Sequence, residues 1–238
     1  MSIYDIPLKS WDGKENILDN YKGKVTLIIN VTADCGNAPQ FGVIETIYEK
    51  YKNLGFDVLA IPTNDYCGDG ITYGDYACGI ASAEEAREYA QETYDVTYDF
   101  SELVVSKPGE PIDSEMAKSL YGGRTDVFPR QLSENETTHE VFEKLCDATN
   151  TKGMYGNFEK WLLNRDGVVM RRYTNATLLD FGHKTDPNAV GTAEEEYERL
   201  CNDIEDILED NYIVPDKADN WRSDWDKFYS NESNKESV

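Results

Sequence analysis

Residues 24–51 read KVTLIINVTADCGNAPQFGVIETIYEKY, and the fold turns on how this stretch is read. Val25 to Val31 is an apolar run rich in β-branched residues, with the length and composition of a buried strand. Ile44, Ile47, Tyr48 and Tyr51 recur at helical spacing and mark one apolar helix face. Pro39 suits the first turn of that helix, where its missing N–H costs nothing. Cys35 therefore falls at or just before a helix N-terminus. Unpaired N–H groups and the helix dipole there favour a thiolate, the nucleophilic form of the side chain. Cysteine is equally at home as a buried, inert core residue, so both readings of Cys35 stay open at this point.

Upstream, residues 3–8 (IYDIPL) are expected to form a short edge strand, a place where Pro7 is tolerated. The Asp12-Gly13 pair predicts a turn. Ile17, Leu18 and Tyr21 predict a brief helical segment that Gly23 ends. Downstream, residues 56–61 are a second apolar run. Strand, helix and strand within about forty residues make a βαβ unit, so the two strands are expected to be parallel. Active groups collect at the carboxyl ends of such strands, which places Cys35 and Asn64 at the same edge.

The following loop, 66–82, is rich in Gly and Tyr and carries Cys67 and Cys78; its length marks it as functional or mobile. Residues 82–95 read as a helix with Ser82 as N-cap and Glu85 completing a capping box. Prolines and glycines between 99 and 136 predict loops and one short helix near 115–120. Residues 138–148 read as a helix with Val141, Phe142 and Leu145 on its apolar face. Residues 157–164 and 168–173 read as strands joined by a hairpin turn at Arg165, Asp166 and Gly167. A last helix over 193–209 turns Tyr197, Leu200, Cys201, Ile204, Ile207 and Leu208 inward. The fold class is α/β, with one domain over 1–210. An acidic extension over 211–238 is expected to be partly ordered, its Trp221, Trp225, Phe228 and Tyr229 spaced for a short amphipathic helix.

Composition narrows the function. The 238 residues are 39% hydrophobic, enough for one sizeable core. The net charge of −23 argues against nucleic-acid phosphates and anionic membranes as partners. No apolar run approaches the length of a membrane span. The first residues lack the basic and apolar regions of a secretion signal, so a cytoplasmic setting is expected. Five cysteines (35, 67, 78, 146 and 201) are an odd number without metal-site spacing. With only His139 and His183 as imidazoles, a histidine-based metal site is not expected. Cys146, Cys201 and Trp161 are expected in the core, and His139 at the surface or in a cap.

Four blocks carry a resemblance. GKVTLIINVTADCG (23–36) is similar to the strand and peroxidatic-cysteine motif of the glutathione peroxidase family, within the thioredoxin-like superfamily. YEKYKNLGFDVLAIPTN (48–64) is similar to the family's next helix and strand. HEVFEKL (139–145) resembles its short H-P-L-F/Y helix, and GNFEKWLLNRDGVVMRRY (156–173) its WNF-K-FL hairpin. Together the blocks span about 60 residues, in the family's order. The resemblance implies a thioredoxin-like fold: a central mixed β-sheet flanked by helices, here with a C-terminal extension.

It also implies a thiol-dependent peroxidase acting on hydrogen peroxide or organic hydroperoxides. No prosthetic group is implied, and a thiol such as glutathione or thioredoxin serves as co-substrate. The family's catalytic set is a Cys or selenocysteine, a Gln, a Trp and an Asn. Cys35 and Asn157 stand at matching positions. Gly156 stands where the Trp belongs, and an ungapped alignment puts Asp69 at the Gln. Gln91 replaces the resolving cysteine of thioredoxin-dependent members, which leaves Cys67 and Cys78 as candidates for that role. A carboxylate at Asp69 donates no hydrogen bond and opposes a nearby thiolate. The alternative reading is therefore a weakly active or non-catalytic binding or structural protein that keeps the fold; a third is other thiol chemistry at Cys35.

Overall fold

β1 (Val25–Val31) buries all seven of its side chains, as expected for a strand covered on both faces. In the computed structural model, residues 2–14, 16–33, 35–66, 79–107, 132–149, 153–154, 156–173, 178–179 and 192–212 are described, with the backbone of 72–73 and 76–77. After β1 the chain forms α1 (Gln40–Tyr51), β2 (Phe56–Pro62), a short antiparallel pair β3 (Thr72–Tyr73) and β4 (Tyr76–Ala77), and α2 (Ala83–Tyr94). It continues through β5 (Asp99–Phe100), α3 (Glu140–Ala148), β6 (Lys160–Leu163), β7 (Val169–Tyr173) and α4 (Ala193–Leu208).

The main sheet has the order β5-β2-β1-β6-β7. β1 and β2 run parallel in a continuous register from Val25 opposite Phe56 to Val31 opposite Pro62, as the βαβ reading requires. β5 adds a parallel strand beyond β2, while β6 lies antiparallel to β1 and β7 antiparallel to β6. This mixed sheet flanked by helices is the thioredoxin-like arrangement. Alternate β1 residues face opposite layers. Val25, Leu27, Ile29 and Val31 pack with Phe41, Ile44 and Ile47 of α1, Ala86 and Ala90 of α2, and Leu200, Ile204 and Ile207 of α4. Ile28 faces the other layer, with Trp161, with Val141, Phe142 and Leu145 of α3, and with the N-terminal Ile3, Ile6, Leu8 and Leu18. Cys146 and Cys201 are buried, as expected of core cysteines.

Local chemistry corrects three readings. Residues 3–8 form no strand: Ile3–Asp5 is a 3-10 turn, because Ser2 and Asp5 close a reciprocal capping box around it. The Tyr4 hydroxyl then anchors that turn by donating to Thr26 Oγ1 at 2.8 Å. Gly167, at φ +74°, gives the turn room; a Cβ there would lie 2.2 Å from Ser2 Oγ. At α2, Ser82 Oγ accepts from Glu85 N as expected, but the Glu85 carboxylate accepts from Ala81 N, one residue before the cap. The strand expected from 157 begins only at Lys160, since Phe158 has φ +69°, a left-handed conformation that breaks a strand. The short helix expected near 115–120 lies outside the described residues. So does most of the 211–238 extension; of it, Tyr212 packs against the α1–α4 core.

One buried amide fixes the turn ahead of β6. Asn30, fully buried in β1, donates through Nδ2 to Gly156 O (3.1 Å) and accepts at Oδ1 from Glu159 N (2.8 Å). Its backbone accepts from Phe158 N (2.7 Å) and donates to Glu159 O (3.2 Å). Asn30→Ala would strand two buried backbone groups, each costing about 1–3 kcal/mol. A loss of about 3 kcal/mol corresponds to about 6–12 °C in Tm for a chain of this size. Thermal unfolding checks this; a Tm within about 2 °C of the parent contradicts the assignment.

His139 is the N-cap of α3, its Nδ1 accepting from Val141 N at 3.2 Å. Burial lowers its pKa from the ordinary 6.5, against the pull of the Glu102 and Glu140 carboxylates and the Pro7 carbonyl. Below pH 6.5 the unfolded chain protonates before the folded one, so this residue's contribution to stability is lost as pH falls. His139→Asn keeps a cap acceptor without the titration. Its Tm should fall less than the parent's between pH 6.5 and about 5.5. An equal fall in melting experiments removes His139 from the acid response.

Candidate active site

Past Val31 the chain leaves the sheet through buried Thr32 and Ala33 and reaches the half-buried Cys35. Three tight turns follow, closed by Ala38 N to Cys35 O (2.8 Å), Gln40 N to Asn37 O (3.1 Å) and Phe41 N to Ala38 O (2.9 Å). The regular helix starts at Gln40, with Pro39 as an N-cap that offers no side-chain bond. Cys35 thus lies ahead of the helix end, as read from sequence, with tight turns between. An N–H of the first turn still reaches the sulfur: Asn37 N donates to Cys35 Sγ at 3.5 Å.

Asn157 supplies a second donor. Its Nδ2 lies 3.8 Å from Cys35 Sγ, within hydrogen-bonding range for sulfur, and the residue is buried. It stands there because Asn30 holds the backbone on either side of it. Lys160, fully buried, adds a bond from Nζ to Phe158 O at 2.6 Å. Behind the turn, Arg172 and Glu159 form a buried ion pair, with Arg172 Nε 2.7 Å from the Glu159 carboxylate. Arg172 also donates to Gly153 O at 3.0 Å, and its guanidinium lies 5.2 Å from the Trp161 ring centroid. Removing either partner of such a pair would leave a buried charge uncompensated.

The turn at Cys35 and the turn at Asn157 are joined by one further bond, from Asn37 Nδ2 to Asn157 O at 3.2 Å. Gln40, also fully buried, braces Asn37 by donating from Nε2 to its carbonyl at 3.4 Å. Sequence reading missed Asn37 and Gln40. Their local signal was an Asn two residues after the Cys, a common turn residue.

At the carboxyl end of β2, Asn64 is engaged structurally. It pairs with Ile80 in both directions, at 2.7 and 3.0 Å, and so clasps the two ends of the loop that carries Cys67 and Cys78. The buried Asp65 accepts from Ser106 N at 2.6 Å. Beside it, Tyr66 shares a 3.0 Å bond with Ser106 Oγ, and burial pushes the phenol well above its ordinary pKa. The structure therefore brings Cys35 and Asn157 together. Gly156 contributes only its carbonyl, to Asn30, and Gln91 lies on α2. Cys67, Asp69 and Cys78 lie outside the described residues.

Residues 3–110 match the glutathione peroxidase family. The thioredoxin/glutathione peroxidase BtuE of Escherichia coli is 30% identical over 174 residues, which cover 73% of this chain and 87% of that protein. The chain belongs to the glutathione peroxidase family. The glutathione peroxidase-like peroxiredoxin HYR1 of Saccharomyces cerevisiae is also 30% identical, over 67% of this chain and 78% of its own. The corresponding gpx1 of Schizosaccharomyces pombe is 29% identical over 87% of this chain and 98% of its own. Family membership makes this chain an oxidoreductase of the thiol-dependent peroxidase type. Among the described residues no group of His, Cys, Asp and Glu is placed to hold a metal ion, and no helix is long and apolar enough to cross a membrane.

Asn157→Ala removes the amide donor and keeps the backbone that Asn30 and Asn37 hold. Alkylation of Cys35 at neutral pH, read by peptide mass spectrometry, should slow about ten-fold, and its pH midpoint should rise. An unchanged rate would mean that the amide does not act on the sulfur.

Proposed function

We propose that this glutathione peroxidase-family protein reduces hydrogen peroxide or organic hydroperoxides with Cys35 as the peroxidatic thiol. The observation that carries the reading is the pair of donors at one sulfur, Asn37 N–H at 3.5 Å and Asn157 Nδ2 at 3.8 Å. Both favour an anionic sulfur, the form that attacks an O–O bond. The thiolate attacks the terminal peroxide oxygen, an S–O bond forms and the O–O bond breaks. The leaving oxygen departs with the electron pair and is protonated to water or an alcohol. In this reading the Asn157 amide donates to the charge developing on that oxygen.

Cys35 is left as a sulfenic acid, oxidised by two electrons. A thiol then condenses with it to a disulfide and releases water, and a second thiol frees Cys35 by disulfide exchange. Glutathione, another small thiol or thioredoxin fills the reductant role, in keeping with a cytoplasmic setting where thiols stay reduced. Cys67 and Cys78 are the intramolecular candidates for the first condensation, and Asp69 is the candidate at the family's Gln position. The alternative of a non-catalytic binding protein has less support, because it gives no reason for two separate elements to aim donors at one half-buried thiol.

A stoichiometric peroxide pulse followed by mass spectrometry tests the reading. One added oxygen at Cys35, or a disulfide from it, is expected, and Cys35→Ser should reduce peroxide consumption to background. Consumption at the parent rate in Cys35→Ser would end the proposal. For the return step, a Cys35–Cys67 or Cys35–Cys78 peptide after oxidation supports a loop thiol. Normal turnover of the Cys67→Ser/Cys78→Ser double variant with small thiols supports an external one.

A further inference from the structure

We propose that Asn37 is a positioning residue for Cys35: its side-chain amide holds the Asn157 turn in register with the sulfur. The proposal rests on Cys35 as the reactive thiol and names a residue that this reading alone does not require. The turn at 156–159 is strained, because Phe158 sits at φ +69° without being a glycine. Such a conformation costs about 1–3 kcal/mol and persists only where the surroundings over-determine it.

Among the hydrogen bonds described for the backbone of this turn, two groups stand out. Asn30 and Lys160 hold Gly156 O, Phe158 N, Phe158 O, Glu159 N and Glu159 O. All five bonds tie the turn to the sheet, and none refers it to Cys35. The Asn37 Nδ2 bond to Asn157 O, at 3.2 Å, ties it to the segment that carries the thiol. Asn37 is itself braced by two donors from Gln40 to its carbonyl, at 3.1 and 3.4 Å. Its own N–H faces the sulfur at 3.5 Å. One residue thus contacts Cys35 through its backbone and the donor residue Asn157 through its side chain. An Asn157 Nδ2 already 3.8 Å from the sulfur has little room to drift before the bond is lost.

A competing explanation is that Asn37 merely favours the turn it occupies, as asparagine often does. A double-mutant cycle separates the two. The probe is iodoacetamide alkylation of Cys35, followed by peptide mass spectrometry across pH in the reduced full-length protein. The chains compared are the parent, Asn37→Leu, Asn157→Ala and the double variant. Positioning through Asn157 predicts that Asn37→Leu slows alkylation about ten-fold in the parent but less than about two-fold in the Asn157→Ala chain. Equal losses in both backgrounds, or no loss in the parent, overturn the proposal.

Asn37→Ser keeps a turn-forming side chain that does not reach Asn157 O. A loss like that of Leu supports positioning, and parent-like behaviour overturns it; this variant decides the matter if the Leu chain fails to fold. Sulfenate formation at Cys35 after a hydrogen peroxide pulse is measured on the same proteins. If the parent forms none, the peroxidase reading fails, while the alkylation cycle still decides the role of Asn37.

Discussion

A carboxamide buried near the carboxyl end of the central strand is the constraint on which the rest depends. Asn30 stands in a largely apolar run, and an unpaired amide there would cost about 1–3 kcal/mol. Its polar atoms are satisfied by a segment 126 positions later in the chain, at Gly156. That demand brings the strand pair Lys160–Leu163 and Val169–Tyr173 alongside β1 with its leading turn at the sheet's carboxyl end. It also makes the left-handed Phe158 tolerable, with the ring driven into the core 4.8 Å from Phe41, edge on. The segment after β1 and the segment before β6 consequently end side by side, and the thiol and its amide partner sit on those two ends.

Charge is distributed differently from what the acidic composition suggests. The chain carries 46 acidic and 23 basic residues, yet two of the cations, Lys160 and Arg172, are buried behind the site. They act on the backbone and on Glu159, holding the turn. The two donors described at the sulfur are neutral, a backbone N–H and a carboxamide. Neutral donors keep their hydrogen bonds at any ionic strength, whereas an exposed ion pair is screened by salt within about a Debye length, ~8 Å at physiological salt.

Much of the fold was legible because burial leaves a periodic trace. The run at 25–31, the faces of α1, α3 and α4, and the Gly167 turn were all readable from local pattern. Elements fixed by a few specific bonds were not. β5 is two residues long, too short to show alternation, and the N-terminal turn depends on a capping box that competes with an extended reading of IYDIPL. The strand expected from 157 began three residues late because Phe158 adopts a conformation that its side chain gives no hint of. At the site, Cys35 was found from its own neighbourhood, whereas Asn157 came through the resemblance. Asn37 was missed because its partner is distant in sequence; nothing in CGNAP states that the third residue reaches a carbonyl at 157.

The separation between the two halves of the site has a consequence for how the protein is made. Asn157 and Cys35 are 122 residues apart, and a ribosome delivers the chain N-terminus first. The strand β1, its helix and β2 can pair as soon as they emerge, so the thiol is displayed on a partly formed sheet. At that moment the hairpin that completes the sheet is still unsynthesised. The hydrogen bond from Asn157 to the thiol forms only with the closing of the fold, and until then the sulfur has only the local N–H of Asn37 from this pair of donors.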